Sequence, residues 1–184
     1  MTLKQLLLSA SLTMTTPYVL AGTLVVLDTS EGDITIELND DKAPISTKNF
    51  LHYVDSDFYD GLIFHRVIPN FMIQGGGMTQ NMEPRDTSKP IKNESDNGLS
   101  NIRGSIAMAR TQAPDSATAQ FYINTVDNPN LDGRPSKPGY TVFGKVISGM
   151  EVVDTISAAE TSTNGYFRDV PVKPIVINSA HRSH

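Results

Sequence analysis

The 184-residue sequence contains no cysteine. That excludes disulfides, thiolate chemistry, Cys-ligated zinc and a lipidated amino-terminal cysteine, and it suits a reducing cytosol and an oxidising periplasm alike. Charge is also sparse. Asp, Glu, Lys and Arg make up 19% of the residues, the formal net charge is −5, and no run of Lys or Arg occurs. A chain without a basic stripe is not built to hold nucleic acid as its main task. The apolar fraction, 39%, is ordinary for a globular chain and excludes global disorder.

Several chemical motifs are missing too. Gly75-Gly76-Gly77 is not followed by Gly-Lys-Ser/Thr, so a phosphate-cradling loop is not expected. No G-x-S-x-G nucleophile elbow exists. The histidines His52, His65, His181 and His184 fall at no zinc-ligand spacing. The run from Asn128 to Gly133 begins like a calcium loop, but the position that needs a bidentate Glu is Gly139. No metal or cofactor is expected.

What is present begins at the amino terminus. Lys4 is the only charge among the first 27 residues. Leu6-Leu7-Leu8 opens an apolar stretch, interrupted by Ser and Thr, that runs to Leu20, and Val19-Leu20-Ala21 offers modest or small residues for cleavage before Gly22. This pattern reads as a secretory signal peptide over residues 1–21. It is too interrupted for a transmembrane helix, which needs about 20 mostly apolar residues. The expected mature chain, residues 22–184, fits one domain at roughly 100–200 residues per domain.

Strand signals dominate that mature region. Leu24 to Leu27 is apolar, Ser30-Glu31-Gly32-Asp33 signals a turn, and Ile34, Ile36 and Leu38 then alternate with Thr35 and Glu37. A period of two puts the aliphatics on one face of a β-hairpin. Further strands are expected at Leu62–Val67, Phe71–Gln74, Ser105–Ala109, Gln120–Asn124, Tyr140–Val146 and Pro174–Ile177. Pro44 to Asp55 reads as a helix, because Pro is tolerated in a first turn, where its missing N–H has no intrahelical partner. Met150 to Ala158 reads as a second short helix, with Met150, Val153 and Ile156 on one face. Residues 78–101 and 125–139, rich in Gly, Pro, Asn and Asp, read as loops. His181 and His184 fall in an expected frayed tail. Short strands without a βαβ rhythm predict a mainly β fold: a closed eight-stranded antiparallel barrel capped by the two helices.

The most informative segment is Phe64-His65-Arg66-Val67-Ile68-Pro69-Asn70-Phe71-Met72-Ile73-Gln74-Gly75-Gly76-Gly77. It gathers a five-donor guanidinium, an aromatic, a flexible thioether and an amide within a few residues. Alternation puts Phe64, Arg66 and Ile68 on one side and turns His65 away from Arg66. Chemistry alone favours a plainer reading, an edge strand with a surface Arg and ordinary core residues.

This segment resembles the signature of the cyclophilin family. Gly104 to Arg110, Ala119 to Asn124, Leu131-Asp132-Gly133 and Tyr140 to Val146 resemble the family's later blocks, in order, along nearly the whole mature chain. The similarity is greatest to bacterial, periplasm-exported cyclophilins. The resemblance implies a peptidyl-prolyl cis-trans isomerase that acts without a cofactor on proline-containing polypeptides and unfolded exported proteins. It implies a monomer of the periplasm, with no nucleic-acid partner and no stable membrane insertion after signal cleavage.

By the same resemblance Arg66 is the catalytic arginine and Gln74 supports it. Phe71, Met72, Tyr122 and Leu131 line a proline pocket, Gln120 lies near the bound peptide, Ala109 and Arg110 pair with its backbone, and Tyr140 sits at the rim. Three positions depart from the family pattern. Tyr122 stands where Phe is usual, and a buried phenol needs a hydrogen-bond partner. Tyr140 replaces a His of eukaryotic members. Asn130 replaces a frequent aromatic, an exchange that argues against tight cyclosporin binding. A proline-peptide binding or chaperone module with little turnover is the alternative reading; it could dispense with Arg66.

Overall fold

The computed structural model describes residues 22–183. The expected signal peptide, residues 1–21, and His184 lie outside the described residues.

The chain runs β1 (Leu24–Thr29), β2 (Gly32–Leu38), α1 (Pro44–Asp55), β3 (Leu62–Ile68), β4 (Met72–Thr79), β5 (Ser105–Met108), β6 (Phe121–Asn124), β7 (Val142–Ser148), α2 (Met150–Ser157), β8 (Thr161–Asn164), β9 (Phe167–Pro171) and β10 (Ile177–Ser183). A short 3-10 turn covers Pro129–Leu131. Eight of the strands form one antiparallel sheet in the order β10-β1-β2-β7-β5-β6-β4-β3. Alternation is the reason: Val25 and Leu27 in β1, and Ile34, Ile36 and Leu38 in β2, all point to one buried face.

The expected closed barrel needs a correction. The sheet curls fully, but its end strands, β3 and β10, do not share a ladder. They meet at a single bridge, Ile63 to Val176, with Phe64 N–H donating to Ile175 O at 2.9 Å and Gly61 N–H to Ile177 O at 2.8 Å. The strand expected at Pro174–Ile177 is this seam. The ladder strand begins where that segment ends, and His181 in β10 pairs with Val26 instead of lying in a frayed tail. Four consecutive residues without regular alternation made the seam look like a strand, while polar residues in β10 concealed a real one.

Helix α1 begins at Pro44 as expected and buries Phe50, Leu51, Tyr53 and Val54. Phe50 sits among Tyr59, Phe121 and Phe143, at ring separations of 5.3, 5.6 and 5.2 Å. Its first turn is capped from a distance: the Glu94 carboxylate accepts from the N–H groups of Ile45 (3.0 Å) and Ser46 (2.8 Å) and from the Ser46 hydroxyl (2.8 Å). Helix α2 follows Gly149, whose φ of +88° favours glycine; a Cβ there would lie 2.2 Å from Asp33 O. Val153 and Ile156 are buried, and Met150 packs against the same core.

The triple glycine is a packing device. A Cβ on Gly76 would come within 2.8 Å of the Tyr59 ring and 2.9 Å of Phe121, and one on Gly77 would meet Gln120 at 2.4 Å. A second, smaller apolar cluster of Met72, Ala107, Tyr122 and Val142 lies apart from the main core. The hairpin β8–β9, absent from the sequence-based expectation, forms its own two-stranded sheet and packs β9 against β3.

Candidate active site

Strands β3, β4 and β6 build the site. Across the β3–β4 ladder Arg66 stands opposite Gln74, and across β4–β6 Gln74 stands opposite Tyr122 and Met72 opposite Asn124. The β3–β4 register skips at His65, so Phe64 pairs with Gly75 and Arg66 with Gln74. Such a bulge breaks the period of two. Phe64 enters the main core and Arg66 enters the groove, so the expected shared side for these two residues is not observed. His65 is not turned away either: it lines the groove beside Arg66.

The groove holds about 640 Å³ and is lined by Arg66, Phe71, Met72, Gln74, Ala109, Arg110, Gln120, Tyr122, Leu131 and Tyr140, which brings every expected site residue together. Its floor is apolar, with Met72 and Tyr122 buried and Phe71, Leu131, Ala109 and Tyr140 packed around them. A polar rail runs along one wall. Gln74 Nε2 donates to Gln120 Oε1 at 2.9 Å, Arg66 Nη1 points at Gln74 Oε1 at 3.5 Å, and Arg66 Nε lies 3.8 Å from Asp169 Oδ2. The Arg66 side chain remains 43% exposed, which leaves donors free for a ligand.

Tyr122 resolves the question raised by its extra hydroxyl. That group donates to Asn101 Oδ1 at 2.6 Å, and burial pushes its pKa well up, so it stays a neutral donor. Asn101 in turn donates to Asp132 (2.9 Å), Asn124 donates to Asn101 (3.2 Å) and Ser105 (2.9 Å), and Asn128 donates to Asn124 (2.7 Å) and Phe71 O (2.9 Å). This amide web underlies the apolar floor and fixes Phe71 from behind. The Asn-rich run from Asn124 to Asn130 was its only trace in the sequence. Asn130 itself is exposed on the 3-10 turn and does not line the groove.

The Arg110 guanidinium is committed elsewhere. It stacks 4.5 Å from the Tyr140 ring and donates to Gly139 O (3.0 Å) and Pro138 O (2.8 Å), so it braces the 134–140 loop. Its own backbone N–H and C=O have no hydrogen-bond partner among the described residues, which leaves that stretch of backbone, in a residue lining the groove, unpaired.

Residues missed by the sequence reading are His65, Met78 and the hairpin segment Tyr166 to Asp169. The hairpin did leave a signal: Asn164-Gly165 between residues of high β propensity. Gly165, at φ +59°, takes the first central position of its two-residue turn. His65 is 6% exposed, and burial pulls its pKa down to about 4.

Size does not select this groove. Two other clefts hold about 730 and 860 Å³. In the larger, Arg103 is paired with Asp154 at 2.8 Å and Lys145 with Glu37 at 2.9 Å, so neither cation faces a free pocket. Among the described residues no group of three or more His, Asp or Glu is placed to hold a metal ion, and no helix is long and apolar enough to cross a membrane.

A curled antiparallel sheet with an apolar notch, a guanidinium at its rim and an unpaired stretch of backbone has the chemistry needed to hold a peptide by a compact apolar side chain. Comparison with known proteins gives the family. The model for "Cyclophilin type peptidyl-prolyl cis-trans isomerase/CLD" matches residues 24–182, and the chain belongs to that family. It is 57% identical over 159 residues to peptidyl-prolyl cis-trans isomerase A of Dickeya dadantii, covering 86% of this chain and 84% of that one. It is 52% identical over 159 residues to peptidyl-prolyl cis-trans isomerase B of Escherichia coli, covering 85% and 97%. A crystal structure of a Cryptosporidium parvum cyclophilin-type isomerase, determined in the presence of the dipeptide Ala-Pro, superposes with a TM-score of 0.73 at 27% identity, covering 88% of this chain and 99% of that one. The protein is therefore an isomerase of the peptidyl-prolyl cis-trans class.

Proposed function

We propose that the groove around Arg66 catalyses this isomerisation, with the proline ring seated on Phe71, Met72, Tyr122 and Leu131. The observation that carries the reading is the guanidinium, aligned by Gln74 at the rim of an apolar notch. An X–Pro amide rotates over a barrier of about 18–20 kcal/mol because resonance stiffens the C–N bond. Uncatalysed exchange takes tens to hundreds of seconds. In the twisted state resonance is lost and the prolyl nitrogen becomes pyramidal and basic. A donor that strengthens only then lowers the barrier, and each tenfold gain needs about 1.4 kcal/mol of preference for that state.

Arg66 supplies that donor, toward the proline carbonyl or nitrogen. Gln74 holds Arg66, and Gln120 holds Gln74. The open backbone of Arg110, beside Ala109, pairs with the residues before the proline while the amide turns, and Tyr140 closes the rim. The reaction makes and breaks no covalent bond, so it requires neither a nucleophile nor a proton acceptor.

The setting is the periplasm, where the enzyme accelerates X–Pro isomerisation during folding of exported proteins. Lys4, the apolar stretch to Leu20 and Ala21 before Gly22 support export through residues 1–21. The protein is read as a monomer, since one chain carries every residue that the proposed mechanism uses.

Arg66→Ala tests the assignment. Isomerisation of a short proline peptide, followed by NMR exchange, falls by orders of magnitude while the circular dichroism spectrum is retained. Near-wild-type turnover by this variant sinks it. Mass spectrometry of the exported form, with a chain beginning at Gly22 as the expected result, tests the setting.

A further inference from the structure

The hairpin β8–β9 is the part of the groove that the resemblance did not supply. Its two strands pair only with each other, and β9 lies against β3, the strand that carries Arg66. Tyr166 at its tip is fully exposed, Phe167 is 39% exposed, and Arg168 is exposed; all three line the groove. Arg168 enters no ion pair among the described residues. Scattered exposed apolar residues need no explanation. Two adjacent aromatics and an unpaired Arg beside a binding groove are another matter, because these residue types carry much of the energy in peptide and protein recognition.

Two features hold the hairpin in place. Asp169 reaches Arg66, 3.8 Å from its Nε. Strand β9, which carries Asp169, also packs along β3. The hairpin is therefore positioned relative to Arg66 rather than merely near it.

We infer that the Tyr166–Phe167–Arg168 tip forms a downstream subsite, which takes an aromatic side chain at the position directly after the proline. The inference rests on the assignment above, because the peptide's direction follows from it. If the residues before the proline pair at Ala109 and Arg110, and Arg66 meets the proline carbonyl, the next residue leaves the groove past Arg66 and reaches the hairpin. Ring-on-ring contact with Tyr166 and Phe167 then favours an aromatic there. Arg168 adds attraction for a carboxylate further along the peptide.

The test compares two peptides, Ala-Ala-Pro-Phe-Glu and Ala-Ala-Pro-Gly-Glu, by NMR exchange on the full mature protein. Wild type is expected to favour the Phe peptide by roughly tenfold in kcat/KM, largely through KM. The double variant Tyr166→Ala/Phe167→Ala should bring the two peptides to within about twofold of each other. Tyr166→Ala alone, at a fully exposed tip, should remove part of the preference and keeps the test sound if the double variant folds poorly. Equal use of both peptides by wild type overturns the inference, as does a preference that survives Tyr166→Ala in full. Failure of the underlying assignment looks different: Arg66→Ala would turn over both peptides like wild type, and the inference would fall with it.

Discussion

At the scale of single residues, His65 shows what a bulge does to a pattern. Strict alternation turns it away from Arg66. The register skip instead leaves it buried in the groove wall, and its Nδ1 finds no partner among the described residues. Burial lowers its folded pKa to about 4, against an ordinary value of 6.5. Between these values the unfolded chain takes up a proton that the folded one refuses, so folding stability falls as pH drops from about 6.5 to 4. The loss between pH 7 and pH 4.5 is expected to be about 2–3 kcal/mol. Urea unfolding at the two pH values checks it; His65→Gln should remove most of the difference. Asp55 and Asp154 do not blur that window. Hydrogen bonds from Arg182 and Arg103 hold their carboxyls below the ordinary value, so their contribution is lost only at lower pH. The floor and rail of the groove, from Arg66 and Phe71 to Tyr122 and Tyr140, were legible in the segment from Phe64 to Gly77 and in the later blocks. The orientation of His65 was not, because a bulge depends on how the partner strand pairs.

At the scale of elements, α1 and the β8–β9 hairpin contrast. Helix α1 was readable to its ends from Pro44 and its apolar spacing, but its cap was not. The residue at the capping position, Ala43, has no side chain that can accept a hydrogen bond, and Glu94 supplies the acceptor from 48 residues away. An anion against unsatisfied N–H groups at a helix start is stabilising. Glu94→Ala should therefore cost about 1–2 kcal/mol, measured by denaturant unfolding, with Glu94→Gln losing less because one acceptor remains. The hairpin failed to register for a different reason. Thr161 to Asn164 and Phe167 to Pro171 are mostly exposed, so no buried face imposes a period on them. Only the Asn164-Gly165 turn marked it.

For the whole molecule, the decisive feature is how the sheet's two ends meet. β10 pairs with β1 from Leu24 to Thr29, and Ile177 and Ala180 bury their side chains in the core. The preceding residues bridge to β3 and seal the seam. Truncation after Lys173 would expose β1 as an edge and strip the core of Ile175, Ile177 and Ala180. Burial of one large aliphatic contributes about 1.5–3 kcal/mol against a total stability of about 5–15 kcal/mol. The truncated chain is expected not to fold; a cooperative thermal transition near that of the intact protein would contradict this.

The sequence by itself determined the class of fold, the family and most of the residues that line the groove. Alternating aliphatics, a proline-led helix and ordered motif blocks are local signals that survive without knowledge of contacts. Only the tertiary structure decided that the barrel closes through a seam, that His65 faces the groove and that Tyr122 finds Asn101. It also decided that a hairpin from beyond α2 comes to stand beside Arg66. Each of these depends on strand register and on groups far apart in the chain, and pairing of that kind leaves no period in the residues that take part.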